Sequence, residues 1–246
     1  MSQQTETKIG RPRIASRAEW LVARRELLAK EKESSRQRDA LSAERRKLPM
    51  VKIEKEYVFD GPNGPTKLGD LFGNRSQLII YHFMFDPSWE EGCKSCSHLM
   101  DNIAGTIIHL GARDTSFAAI SLAPLEKIEA FKKRMRWSFS WLSSSGSDFN
   151  NDFQVSIDVA QGSEYNYTPA ASLLQAGKIW FPKGELPGLS VFLRDGDDVF
   201  HTYSVYQRGL DSLLNTYTCL DFTPLGRQEE GQQIQGWIRH HDKYPC

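Results

Sequence analysis

The sequence predicts an α/β fold in which a mixed central sheet is flanked by helices, and three observations predict it. Residues 78–85 form an almost continuous apolar run bounded by polar residues, the mark of a strand covered on both faces. Helical stripes then alternate with a second such run at 117–122, an order that implies parallel strands joined by right-handed crossovers. Finally, 188–193 and 199–206 flank Arg194-Asp195-Gly196-Asp197-Asp198, a strong hairpin signal, so the sheet ends antiparallel.

Residues 1–15 show no apolar period and read as a flexible leader. Ser16 and Glu19 have the spacing of a capping box, and Trp20, Leu21, Leu27 and Leu28 begin a helical stripe that Leu41 and Leu48 extend towards Pro49. Such an arm, 16–48, would be roughly 30 residues or about 45 Å long and would bury one face in its first half. It is expected to pack across its own domain or a second copy, or to dock on a different protein.

The remainder reads as one domain, 49–222, with a tail at 223–246. Apolar residues at odd positions, Val51, Ile53, Tyr57 and Phe59, suggest a strand, and Gly61-Pro62-Asn63-Gly64 demands a turn. After the central strand, Cys96, Leu99, Met100, Ile103, Ile107 and Leu110 share one helix face that ends before Gly111. Pro124 then stands near a helix start followed by Leu125, Ile128, Phe131 and Met135, and 137–142 can form a further strand. The stretch 143–187, rich in Ser, Gly, Asn and Asp, reads as an insertion before the hairpin, and 210–217 as helical.

Thirty-one basic residues balance thirty-one acidic ones in this 246-residue chain, so no overall field favours nucleic acid or an anionic membrane. There is no apolar run of membrane-spanning length and no secretory pattern, and the expected location is cytoplasmic. The four cysteines do not make a secreted disulfide framework, since Cys219 and Cys246 stand alone. Cys93-Lys94-Ser95-Cys96 is different: it opens the helix that follows the central strand.

A sulfur at a helix N-terminus meets unpaired backbone N–H groups and the positive end of the helix dipole, which favour its thiolate. A free cysteine has a pKa of about 8.5, and such positions lower it to roughly 3.5–7.5. Cys93 is therefore the expected nucleophile and Cys96, one turn inside, the expected resolving thiol. Lys94 should assist the thiolate while Glu90 and Glu91 oppose it, a balance that geometry must sign. Two other readings stay open: small buried residues, or half of a zinc site completed by His98, Cys219 or His240 and His241.

Residues 81–85, 92–97, 112–114, 146–150 and 200–204 resemble the thioredoxin-like family called domain of unknown function 899, over approximately 16–243. The resemblance implies a thioredoxin-like fold, with Cys93 exposed and attacking, Cys96 resolving, and Pro187 as the cis-proline that faces them. It also implies a substrate border at Trp89, Lys94, Ser95 and Pro187. The motif departs from ordinary thioredoxin, with Gly92 where tryptophan is usual and Lys94-Ser95 in place of Gly-Pro. The peroxiredoxin arrangement of proline, threonine or serine, and cysteine is not reproduced by Pro87, Glu91 and Lys94.

The expected activity is dithiol–disulfide oxidoreduction, with a peroxiredoxin-like thiol peroxidase or a non-catalytic metal-binding or interaction module as alternatives. No dinucleotide fingerprint or phosphate loop occurs, so no cofactor is expected. Electrons would come from a reductase or a small thiol, and the substrate would be a protein or small-molecule disulfide. A homodimer through the arm is compatible with each reading. His82 is expected to be a core side chain and His98 to face solvent. Trp89, Trp137, Trp141, Tyr165, Tyr167, Tyr203 and Tyr206 are expected mostly to pack the core or the insertion, some walling a pocket over the cysteines.

Overall fold

A computed structural model describes residues 12–231 and 233–245, grouped into two compact units. Most of the expected leader and Cys246 lie outside the described residues. The first unit comprises the described part of Met1–Pro49 with Tyr217–Ile234, the second Met50–Thr216 with the described part of Gln235–Cys246.

In the first unit, helix α1 (Arg17–Arg45) starts at the expected capping box: Ser16 Oγ accepts from the Glu19 N–H, and a Glu19 carboxylate oxygen accepts from the Ser16 N–H at 2.8 Å. The burial expected of its first half does not occur. No residue of α1 is buried, and Trp20, Val22, Leu27 and Leu28 are all exposed. Arg24 and Glu31 interrupt the stripe at the i+3 and i+4 positions that would complete an apolar face, and they pair with each other at 2.9 Å.

The second unit begins with β1 (Val51–Lys52), followed by the hairpin β2 (Val58–Gly61) and β3 (Gly64–Lys67), then β4 (Gln77–His82). The single strand expected at 51–59 is thus two. β1 pairs with one edge of the sheet and β2 lies towards the other, so 53–57 must cross it. Helix α2 (Lys94–Ile103) follows β4, and the stripe to Leu110 breaks at Gly105 into a 3-10 turn and a short α3 (Ile107–Gly111). Next come β5 (Thr115–Ser121), α4 (Leu125–Arg134) and β6 (Ser140–Ser143).

The insertion is structured: α5 (Phe149–Asp152), β7 (Ser156–Asp158), β8 (Glu164–Tyr165), β9 (Thr168–Pro169), α6 (Ala170–Gln175) and β10 (Lys183–Glu185). It has its own apolar cluster, in which Val155, Ile157, Tyr165, Ile179 and Leu186 meet Tyr206. The chain closes the sheet with β11 (Gly188–Asp195) and β12 (Asp198–Tyr206), whose turn uses Gly196 at φ +60°, and leaves through α7 (Asn215–Asp221).

The sheet order is β1-β12-β11-β4-β5-β6-β2-β3. β4 and β5 run parallel, as do β5 and β6, while β11 pairs antiparallel with both β4 and β12. This is a thioredoxin-like fold: a mixed sheet flanked by helices, with a helical arm before it and an insertion ahead of the final hairpin. Leu78 and Ile80 of β4 bury one face of the strand with Phe59, Phe72, Phe149 and Phe192. Phe83 and Phe85, just beyond β4, meet Phe131 and Trp141. Among the described residues no helix is long and apolar enough to cross a membrane.

Candidate functional site

The C-terminal end of β4 delivers the chain into a turn and then into α2, whose N-cap is Cys93. The turn is fixed by Asp86, whose carboxylate accepts from the Ser88 N–H at 2.8 Å and whose carbonyl accepts from the Trp89 N–H at 3.0 Å. Lys127 of α4 donates to the carbonyls of Pro87 and Trp89 at 2.7 and 3.1 Å. Gly92 is required by a close approach: a Cβ there would sit 2.7 Å from the Phe83 ring and 2.9 Å from that of Phe131. No bulky residue fits before Cys93.

The Cys93 N–H donates to the Met84 carbonyl at 3.0 Å, and its own carbonyl accepts from both the Ser97 N–H and hydroxyl at 2.9 Å. Its side chain does not cap the helix, so the donors of the first turn remain available to the sulfur. Cys93 is half-buried and Cys96 is 2% exposed; both are free thiols. The Cys96 thiol donates to the Cys93 sulfur, the backbone N–H groups of Cys96 and Ser95 add to it, and the Lys94 charge helps. Against burial, these draw the Cys93 thiol down to about 7. Burial, then the neighbouring Cys93, pushes Cys96 well above the ordinary thiol range.

Beneath Cys96 the Tyr81 hydroxyl donates to its sulfur, and burial with the nearby thiols pushes that phenol up. Tyr165 of the insertion, also buried, lies within electrostatic reach of Cys96 and donates to the Pro187 carbonyl at 2.8 Å. The structure thus gathers Cys93, Lys94, Ser95 and Cys96, with half-buried Trp89 in the turn before them and Pro187 tied in through Tyr165. One expectation for Pro187 is corrected: no peptide bond among the described residues is cis. A trans bond fits because the chain enters β11 already extended, with the Leu186 N–H on the Val155 carbonyl and Gly188 paired with His82.

His82 is a core side chain on the face of β4 opposite Tyr81, with Nε2 2.8 Å from the Ser190 hydroxyl and its ring stacked on Phe153. Burial lowers its pKa to about 3, so it is neutral. His98 does not face solvent: it is 8% exposed, with its ring 5.9 Å from that of Trp237. His240 donates towards the Gly92 carbonyl at 2.8 Å and His241 Nδ1 lies 2.8 Å from Asp101, so these two weighed ligands have other engagements. Among the described residues no three His, Cys, Asp or Glu side chains are grouped to hold a metal.

Sequence reasoning weighed Tyr165 as a wall over the cysteines but missed Tyr81 as a neighbour of the thiols and the C-terminal segment as a neighbour of Gly92. For Tyr81 a signal existed, because alternation along β4 sets it opposite Leu78 and Ile80.

A family model described as a bacterial protein of unknown function (DUF899) matches residues 9–244. No curated protein matches the chain. Among solved structures, similar ones include the peroxidoxin BcpB from Mycobacterium tuberculosis, 12% identical, covering 70% of this chain and 97% of that one, at a TM-score of 0.44. A Xylella fastidiosa PrxQ mutant is 11% identical, covering 66% and 88% at 0.41. A Xanthomonas campestris peroxiredoxin Q mutant is 11% identical, covering 66% and 90% at 0.40.

Proposed function

The chain belongs to the DUF899 family, whose description leaves its reaction open, and we propose that it is a dithiol–disulfide oxidoreductase with Cys93 as nucleophile and Cys96 as resolving thiol. The observation that carries this is the asymmetry of the pair: a half-buried thiol drawn down to about 7 above a buried thiol pushed up. One is ionised near neutrality and reachable, and the other is kept as a proton donor until it is needed.

The Cys93 thiolate attacks one sulfur of a substrate disulfide; a bond forms to that sulfur, the substrate S–S bond breaks, and the other substrate sulfur leaves as a thiolate. Forming the mixed disulfide removes the negative charge from Cys93, and with it the part of the upward shift of Cys96 that burial does not cause. Cys96 then loses its proton and attacks the Cys93 sulfur, which releases the second substrate thiolate and closes the Cys93–Cys96 disulfide. The substrate gains two electrons and, overall, the two protons of the dithiol. Lys94, Ser95, Trp89 and Pro187 border the approach. A reductase or a small thiol restores the dithiol.

The test is a glutathione redox series followed by intact mass and metal analysis, with reduction of a small disulfide and of hydrogen peroxide assayed on the same protein. Reversible loss of two hydrogens localised to Cys93 and Cys96, with turnover of the disulfide, is expected. Thiols that stay reduced throughout, stoichiometric zinc on the pair, or turnover of peroxide alone would overturn the reading.

A further inference from the structure

Residues 235–245, which sequence reasoning assigned to a tail, lie against the cysteine loop. Ile238 is fully buried and His240 is 6% exposed. From there the segment touches three elements around Cys93. On the loop, His240 Nε2 lies 2.8 Å from the Gly92 carbonyl, with Nδ1 3.5 Å from a Glu91 carboxylate oxygen, and Lys243 Nζ reaches both Glu91 oxygens at 2.7 and 2.8 Å. On α4, Asp242 takes two bonds from Arg134 at 2.7 and 2.9 Å, while Arg134 also donates to Glu91 at 2.5 Å. On α2, His241 meets Asp101, which accepts from Trp137 Nε1 as well.

Glu91 stands two residues before the nucleophile, where a free carboxylate would oppose a thiolate. It is held instead by Lys243 first, then Arg134, which keep it well ionised and paired. The groups that act on the Cys93 sulfur include Cys96, the N–H groups of Cys96 and Ser95, and Lys94, with Tyr81 close by. We propose that the C-terminal segment 238–243 is a strap whose His240 and Lys243 are positioning residues for Cys93: they anchor the loop at Gly92 and keep the Glu91 carboxylate turned onto cations and away from the sulfur. This rests on the assignment of Cys93 as the nucleophile, yet its test needs no turnover.

The experiment is a titration of the reduced full-length protein, following thiolate absorbance from pH 5 to 10 and the iodoacetamide rate at Cys93 by mass. Lys243→Met, His240→Leu, Glu91→Gln and the double variant Lys243→Met with Glu91→Gln are compared, with circular dichroism reporting folding. Lys243 is half-exposed, so its variant keeps the fold. Lys243→Met is expected to move the Cys93 titration upwards and slow alkylation at pH 7 about 2- to 5-fold, with Glu91→Gln restoring the rate in that background. A purely structural role would not be repaired by removing a carboxylate. An unchanged titration in folded Lys243→Met, or no restoration in the double variant, overturns the proposal. A shifted titration in a protein that turns over no disulfide would sink the enzyme reading and leave the strap standing.

Discussion

Two helices in this chain begin at well-defined caps and end up with opposite fates. At α1 the Ser16 hydroxyl and the Glu19 carboxylate satisfy N-terminal donors with the helix's own side chains, and no residue of the helix is buried. At α2 the N-cap is Cys93, which makes no side-chain cap bond, and six of the ten helix residues are buried. The first terminus is closed and chemically idle. The second keeps its donors for a sulfur, and its stability comes from packing instead. A helix start whose N–H groups meet a sulfur rather than an oxygen cap is tolerated where tertiary contacts hold the helix, and there it polarises the thiol.

Breaking the comparison at its chemical end should have the largest effect. Cys93→Ser is expected to abolish disulfide turnover, and Cys96→Ser to accumulate a mixed disulfide through Cys93, both read by intact mass after a single exposure to substrate; absence of any adduct in the latter would sink the assigned roles. Next is the packing that supports α2. Gly92→Ala places a methyl group against Phe83 and Phe131, and the expected destabilisation is about 1–3 kcal/mol, read as a lower urea midpoint with unchanged slope.

A smaller effect sharpens the electrostatic part. Because the Cys96 thiol is the largest cause of the lowered Cys93 pKa, Cys96→Ala should raise it and cut alkylation at pH 7 by about tenfold or less, whereas Cys96→Ser keeps a donor and much of the rate. The sign for stability follows. A thiol depressed to about 7 in the folded state contributes stability that is fully present above its unfolded pKa of about 8.5 and lost as pH falls through 7. Cys96, raised on folding, contributes the opposite: a loss of stability as pH rises through its unfolded value. Urea unfolding of reduced Cys96→Ser between pH 6 and 9 should therefore show a gain with pH that reduced Cys93→Ser lacks. The smallest change is expected at the closed cap, where Ser16→Ala should cost α1 about 1 kcal/mol, seen as faster amide exchange in its first turn, and leave cysteine reactivity untouched.

Much of the fold was legible because its signals are local. The apolar run of β4, the hairpin of β11 and β12, and the helix starts at Ser16, Cys93 and Pro124 all depend on neighbours in sequence. The insertion was not legible, because its strands are two or three residues long and β7 pairs with β10 some 25 positions away. The capping box located α1 but could not say whether its stripe would be covered. His98 was misread for a related reason: its helix spacing says nothing of Trp237 arriving against it.

At the site the division is sharper. Residue order alone determined that two cysteines would stand three apart at the start of a helix after a buried strand, because strand, turn and helix are written in consecutive residues. The helix position also pointed to Cys93 as the outer thiol and Cys96 as the inner one; how the groups around them balance was decided only in three dimensions. Tyr81, Tyr165, Glu91, Arg134 and Lys243 act through space, and burial and charge pairing depend on distance rather than on position in the chain.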